Sequence, residues 1–178
     1  MNSAFLILRD ILLLRRGPQD LPYSTQLLTS AVAASIVVQA IAGAVLVNAT
    51  ATVIVVSAFI SVGLTLVALN LMLGIRRLRN RFIQTATALL GCNLLFSIIS
   101  IPAALILPTK PTSPEQMPML ALLLAPLAFA CAIWQLAVNA HILRHSLDIP
   151  FWGGVAMVLL WVFVAAVLAG VSGASALA

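Results

Sequence analysis

Charged side chains are scarce in this chain. Asp, Glu, Lys and Arg make up 7% of its 178 residues, hydrophobic residues make up 63%, and the mean hydropathy is +1.18. Soluble domains carry about 25% charged and about 45–50% apolar residues. A soluble fold with this composition would have to expose much apolar surface to water, which excludes that class of protein. We therefore predict a single integral membrane domain that comprises residues 1–178.

The centre of every long apolar segment is also free of charge. Ionisable residues inside membrane spans usually mark ion or proton pathways, so their absence disfavours proton-coupled transport, voltage sensing and intramembrane aspartyl or metalloprotease chemistry. The serines lack a neighbouring base, because Lys110 and the two histidines fall at opposite ends of the apolar segments. We therefore predict no catalytic residues and a protein that is not an enzyme.

Cysteine is nearly absent: the chain has only Cys92 and Cys131, each within an apolar segment. Free cysteine there behaves as a small apolar residue, and this pair lacks the spacing of metal ligands. His141 and His145, four residues apart, form with Asp148 the one alternative metal site. These three residues from a single connection are too few for a defined site, and cationic side chains suit the end of a helix. The sequence predicts neither a metal nor a cofactor.

What the chain does contain is a cluster of basic residues between two apolar segments. Four of its nine basic residues occupy positions 76 to 81: Arg76, Arg77, Arg79 and Arg81. Such a cluster cannot lie in hydrocarbon, so it predicts a loop at a water-facing surface that docks partners or lipid headgroups. Aromatic residues do not alternate with these arginines as a stacking platform requires, and we predict no nucleic-acid partner.

Five apolar segments are each longer than the roughly 20 residues with which a helix crosses a hydrocarbon core about 30 Å thick. They predict an all-α, polytopic membrane helical bundle with transmembrane helices at about 23–47, 52–74, 82–107, 119–142 and 151–177. A polar reversal at Asn48 separates the first two helices, and a proline-rich loop around Lys110 separates the third from the fourth.

The distribution of basic residues predicts the orientation of the chain in the membrane. Eight of the nine lie in the N-terminal segment, the arginine cluster or the connection at Arg144, and Lys110 alone lies on the other side. Lys and Arg accumulate in cytoplasmic loops. We therefore expect the N-terminus in the cytoplasm and the C-terminus outside, which is the periplasm if the membrane is a bacterial inner membrane.

Residues 1–21 read as a short amphipathic helix that lies in the plane of the headgroups. Phe5, Leu8, Ile11 and Leu12 form a broad apolar face that Leu6 and Leu13 extend, whereas Arg9, Asp10 and Arg16 occupy the other side. That division is typical of interfacial helices. Gly17 and Pro18 end the helix.

Small and polar residues recur at helical spacing inside the predicted spans. Ser35, Gln39 and Gly43 are four residues apart, as are Ser57, Ser61 and Thr65, and also Gln135 and Asn139, while Asn93 lies on the third span. Such stripes normally face other helices, where backbones approach closely and amides form hydrogen bonds. We predict helix-packing roles for Ser35, Gln39, Gly43, Asn93, Gln135 and Asn139.

Two segments carry a family resemblance. Residues 20–23 (DLPY), ahead of five closely spaced spans, and residues 132–145 (AIWQLAVNAHILRH), at the end of the fourth span, resemble the bacterial branch of the Yip (Ypt-interacting protein) domain family. The resemblance covers nearly the whole chain. It implies a five-helix, non-enzymatic membrane protein that acts as a scaffold or adaptor.

The sequence thus favours a scaffold, adaptor or accessory subunit whose partners are the lipid bilayer and other membrane proteins, in a hetero-complex or a homo-oligomer. The alternative is a small transporter or channel. It requires a polar cavity lined by Gln39, Asn93 and Gln135, whereas a scaffold is compatible with a dry, tightly packed interior.

Overall fold

The computed structural model describes residues 2–46, 50–106 and 119–175, and every regular element in these ranges is helical. Short 3-10 turns at Pro18–Asp20 and Arg79–Arg81 accompany six α-helices: α1 (Asn2–Leu12), α2 (Thr25–Leu46), α3 (Ala51–Ile75), α4 (Phe82–Ile106), α5 (Met119–Leu147) and α6 (Phe151–Ser175). The all-helical prediction is confirmed for these residues. The predicted reversal at Asn48 and the loop around Lys110 lie outside them.

Four helices are long and apolar enough to cross a membrane, over Thr25–Val45, Ala51–Ile75, Arg79–Pro102 and Leu123–Leu147. A fifth apolar stretch, Phe151–Val164, belongs to α6. These ranges support the prediction of a membrane-spanning helical bundle. The long apolar runs favour helices over these ranges, because a helix satisfies all its backbone hydrogen bonds internally where no water is present.

The predicted end of α5 was wrong by five residues, because the helix continues past Ile142 to Leu147. His141 and His145 therefore lie on its last two turns and not in a connection. No glycine or proline interrupts this stretch, and the cationic side chain of Arg144 suits the negative end of the helix. The helix stops where Asp148 adopts a positive φ of 51°.

The helices alternate in direction, so that one end of the bundle is formed by Thr25, Ile75, Phe82, Leu147 and Phe151. We call this end the arginine end. Here α4 is central: α2 packs on α3 and α4, α4 packs on α5, and α5 packs on α6. Helix α3 also contacts α4 and α5. As a result α3 and α6 flank the space above α4 and α5.

The core is concentrated toward the arginine end. The largest fully buried side chains there include Ile11 and Leu21 of the N-terminal segment, Leu73 of α3, and Ile142 and Leu147 of α5. Farther along the helices large apolar side chains are exposed, as on the second half of α4 and the first half of α5. Lipid is the solvent that such exposed apolar halves require.

The N-terminal segment packs on the bundle of its own chain. Leu8 lies against Gly91 of α4, where an added Cβ would be 3.0 Å from a Leu8 methyl carbon. The indole nitrogen of Trp134 donates a 2.9 Å hydrogen bond to the carbonyl oxygen of Leu12. The side-chain amide of Gln84 donates a 2.6 Å bond to the carbonyl oxygen of Leu21. These bonds hold α1 and its connector against α4 and α5.

Helix α6 approaches the backbone of α5 closely at Gly154. A Cβ atom built on Gly154 would lie 2.5 Å from the carbonyl oxygen of Ala140, which is closer than real carbon–oxygen contacts. By contrast, a Cβ on Gly63 of α3 would meet nothing within 4 Å. Only glycine therefore permits the observed spacing at Gly154.

We predict that Gly154→Ala destabilises the protein by about 1–3 kcal/mol, because the added methyl group forces backbone away from backbone. The matched variant Gly63→Ala should be neutral or stabilising by up to about 1 kcal/mol, since alanine is the better helix former. Thermal unfolding in one detergent measures both. An equal or higher melting temperature for Gly154→Ala would contradict the packing.

Candidate functional site

The loop that carries the arginine cluster has a defined backbone conformation. Helix α3 ends with Arg77 in the left-handed region at φ 58°. The backbone N–H of Leu78 donates a 2.8 Å bond to the carbonyl oxygen of Leu73, and that of Arg77 donates to Gly74 at 3.0 Å. This pattern terminates a helix while satisfying its last carbonyl groups. The arginines are thus presented on a fixed turn.

The structure divides the four predicted docking arginines into two groups. One Nη atom of Arg81 lies 2.8 Å from the carboxylate of Asp148 and 3.3 Å from the carbonyl oxygens of both His145 and Ser146. Arg81 therefore ties the start of α4 to the C-terminal end of α5, where a cation is favoured. The exposed group consists of Arg76, Arg77 and Arg79.

The alternative metal site is not assembled. His141 and His145 are close, with ring centroids 4.5 Å apart, but Nε2 of His141 lies 3.1 Å from the carbonyl oxygen of Arg16. The carboxylate of Asp148 binds Arg81. Within the described ranges no three His, Cys, Asp or Glu side chains converge as metal ligands would. The ring of His141 instead joins the end of α5 to the N-terminal segment.

The predicted helix-packing residues have different surroundings. The side-chain amide of Gln135 donates a 3.3 Å hydrogen bond to the side-chain oxygen of Asn93, which joins α5 to α4. Gly43 faces Ile54 of α3, since an added Cβ would lie 2.8 Å from a methyl carbon of Ile54. Ser35, Gln39 and Asn139, in contrast, line cavities together with Asn93 and Gln135.

One cavity has a mostly polar lining, and we call it the polar chamber. It measures about 220 Å³ and lies between α2, α3, α4 and α5, with Trp161 of α6 at its edge. Its polar side chains are contributed by four helices: Ser35, Gln39, Ser61, Thr65, Asn93, Ser97 and Gln135.

A second cavity adjoins the first, and we call it the apolar chamber. It measures about 300 Å³, and α3 and α6 form its two walls above α4 and α5. The residues that line this chamber and not the polar one are hydrophobic except for Asn139: Ala68, Leu69, Met72, Leu89, Leu143, Val158 and Val162. Both chambers are lined by Thr65, Asn93, Gln135 and Trp161. Together they form what we call the cleft.

Two polar atoms of the cleft have no hydrogen-bond partner among the described residues: Oγ of Ser35 and Oδ1 of Asn139. Ser35 is only 5% exposed. A buried polar atom without a partner costs about 1–3 kcal/mol. Both atoms are buried in the walls of the cleft and do not form part of its open surface. Cavities of 300 Å³ or more that are mostly apolar with a few convergent polar groups are typical of small-molecule sites.

The sequence pattern missed part of the cleft. Trp161 gave no signal, since a tryptophan in an apolar segment is most simply read as a lipid-facing or packing residue. Ser61 and Thr65 did carry the four-residue spacing of a polar stripe, but that spacing does not say which stripe of another helix they face. The sequence also contained no indication that Arg81, alone among the four clustered arginines, forms an ion pair with Asp148.

We predict that Arg81→Gln lowers the free energy of unfolding by about 1–2 kcal/mol, because it breaks an ion pair and bonds to two carbonyl groups. Arg77→Gln on the same loop should change it by no more than about 0.5 kcal/mol, as for most surface substitutions. Chemical or thermal unfolding of the two variants provides the comparison. Equal losses would mean that Arg81 is only one more surface charge.

In comparisons with known proteins, no family model, no curated protein and no solved structure matches this chain. Its function must therefore be inferred from the arginine loop and the cleft.

Proposed function

We propose that this chain is a non-enzymatic integral membrane protein that binds a small uncharged molecule in its cleft, as a small transporter does. The observation that carries the proposal is the cleft lined by Gln39, Asn93 and Gln135. A bundle held together only by packing would be more stable with this space closed, because empty volume forfeits contacts.

The lining of the cleft favours an uncharged ligand. None of its side chains is ionisable, and the polar ones are amides, hydroxyls and an indole. An ionised group transferred into such surroundings would lose its hydration without gaining a counter-charge, at a cost of many kcal/mol. Neutral amides and hydroxyls are well suited to hold a neutral hydrogen-bonding group.

A carrier fits the arrangement better than an open channel. The lining of the apolar chamber includes Leu69, Leu89 and Leu143, which belong to the core cluster at the arginine end. Passage of a solute to that end requires these packed side chains to move. Alternating closure of the two ends is the usual mode of a carrier with a central site.

We also propose that the chain has five transmembrane helices and that its arginine end lies in the cytoplasm. Helix α6 has 25 residues, which is enough for a fifth span. Eight of nine basic residues then lie on one side, as expected for the N-terminus in the cytoplasm and the C-terminus in the periplasm of a bacterial inner membrane. Phe5 and Leu6 of α1 and Leu13, which follows the helix, are exposed, and we propose that they insert among the headgroups.

We predict that the protein, extracted in a gentle detergent, carries one non-covalent small molecule that native mass spectrometry detects. Thr65→Phe should remove the bound mass, because Thr65 lines both chambers and the larger side chain fills them. Val67→Phe is the matched control, since Val67 is exposed on the other side of the same helix. An absent adduct in the unmodified chain, or one that persists in Thr65→Phe, would contradict binding in the cleft.

A second candidate function is that of a scaffold, adaptor or accessory subunit. It is favoured by the exposed side chains of Arg76, Arg77 and Arg79 on a turn of fixed conformation, which suit an acidic segment of another membrane protein or anionic headgroups. The resemblance to the bacterial Yip domain family remains a prediction and agrees with this candidate. Both functions are compatible, because the arginine loop and the cleft occupy different parts of the bundle.

For the scaffold we predict that the combined variant Arg76→Gln, Arg77→Gln and Arg79→Gln loses a partner protein that co-purifies with the unmodified chain. Arg81 is left in place, so that the fold retains its tie between α4 and α5. Reporter fusions at the two chain ends serve as the control for orientation. Partner recovery that is unchanged by the triple substitution would exclude docking through this loop.

A further inference from the structure

We propose that the occupant of the cleft is an amphiphile taken from the bilayer, with an uncharged hydroxyl-bearing head in the polar chamber and a hydrocarbon chain in the apolar chamber. A monoacylglycerol represents this class. The inference rests on the proposed function, and it specifies the chemical class of the ligand and its route of entry.

The two adjoining chambers differ in polarity as the two ends of an amphiphile do. Serine hydroxyls and the amide of Gln39 surround the polar chamber, whereas leucine, valine and methionine side chains dominate the apolar one. Asn93 and Gln135 lie at the junction. A wholly water-soluble ligand would leave the apolar chamber unfilled, and a pure hydrocarbon would leave the polar atoms without partners.

The polar chamber offers a ligand both hydrogen-bond donors and hydrogen-bond acceptors. The hydroxyl of Thr65 already donates to the carbonyl oxygen of Ser61 at 2.8 Å, and that of Ser97 donates to the backbone carbonyl oxygen of Asn93 at 2.9 Å, so these two hydroxyl oxygens remain as acceptors. The amide of Gln39 and the hydroxyl of Ser61 can donate as well as accept. A hydroxyl group on the ligand serves both kinds of partner, whereas an ester or ether oxygen can only accept.

The size of the polar chamber fits a head of several heavy atoms. Liquid water occupies about 30 Å³ per molecule, so a chamber of about 220 Å³ has room for roughly seven water-sized groups. A glycerol head has six heavy atoms. The hydrocarbon chain then follows the apolar chamber, where Val158 and Val162 of α6 face Leu69 and Met72 of α3.

The arrangement of the helices provides entry from the side. In the described part of the chain α3 and α6 make no extensive contact with each other, although both line the apolar chamber. Their outer surfaces carry exposed apolar side chains that face the surrounding lipid, such as Val67 and Leu71 of α3 and Leu159 and Phe163 of α6. A chain of hydrocarbon can therefore pass from the bilayer between these two helices without crossing water.

The test uses the full chain in phosphatidylcholine nanodiscs and 1-monooleoylglycerol brominated across its double bond, because bromine quenches tryptophan fluorescence at contact. We expect a saturable component of quenching that disappears in Trp161→Phe, since Trp161 lines both chambers. Quenching of Trp134 and Trp152, which are exposed, should rise only linearly with the lipid fraction. Brominated methyl oleate and brominated oleate are the chain-matched controls without a neutral hydroxyl head, and neither should give the saturable component.

Substitutions locate the head group. Gln39→Leu and Ser61→Ala should each weaken the saturable component about tenfold, as expected for one lost hydrogen bond in the polar chamber. Val67→Phe should leave it unchanged. Ser61→Ala removes a single oxygen atom and keeps the test decisive if Gln39→Leu does not fold.

Each outcome decides between the two proposals. Equal saturable quenching by methyl oleate or oleate would overturn the hydroxyl-bearing head. Absence of saturable quenching, with a native-mass adduct that Thr65→Phe removes, would overturn the amphiphile and leave the proposed function standing. A cleft that holds only water, seen as no adduct and no saturable quenching, would overturn both.

Discussion

In a bundle without internal charge, polar side chains can find partners only among themselves or in a bound molecule, and the structure depends on this constraint. The bond between Gln135 and Asn93 satisfies it by joining α5 to α4. Gln39 and Ser61 line the polar chamber, where a bound molecule can supply hydrogen-bond partners. Because lipid offers few hydrogen bonds, such polar groups favour an occupied cleft. The same constraint therefore applies both to how the bundle is held together and to why it has room for a ligand.

The two ends of the bundle have different tasks. At the arginine end the N-terminal segment, the α3–α4 loop and the end of α5 are tied together by side-chain bonds to backbone carbonyl groups, from Trp134, Gln84 and Arg81. In the described part of the chain α6 packs on α5, and α3 and α6 make no extensive contact with each other. Two helices that do not pack on each other can separate while their common base stays fixed, as lateral entry of a ligand requires.

The sequence allowed most of the helices to be predicted but less of the site. Long apolar runs and the position of the arginine cluster locate helices α2 to α6 because membrane spans have a minimum length. The end of α5 was misplaced, since Ile142 looks like the end of an apolar run although nothing breaks the helix there. The cleft follows from which stripes face one another: Ser35 and Ser61 lie on different helices, and their spacing along the chain does not encode that pairing. Arg81 was likewise indistinguishable from Arg77 until Asp148 was seen beside it.

An experimental structure in a lipid nanodisc, at a resolution that separates side chains, tests the central claim most directly. We predict elongated density that begins within hydrogen-bond distance of the side-chain amide of Gln39, passes Gln135 and Trp161, and leaves the bundle between α3 and α6. A collapsed interior would contradict the account, with α3 and α6 in contact and no space beside Gln39.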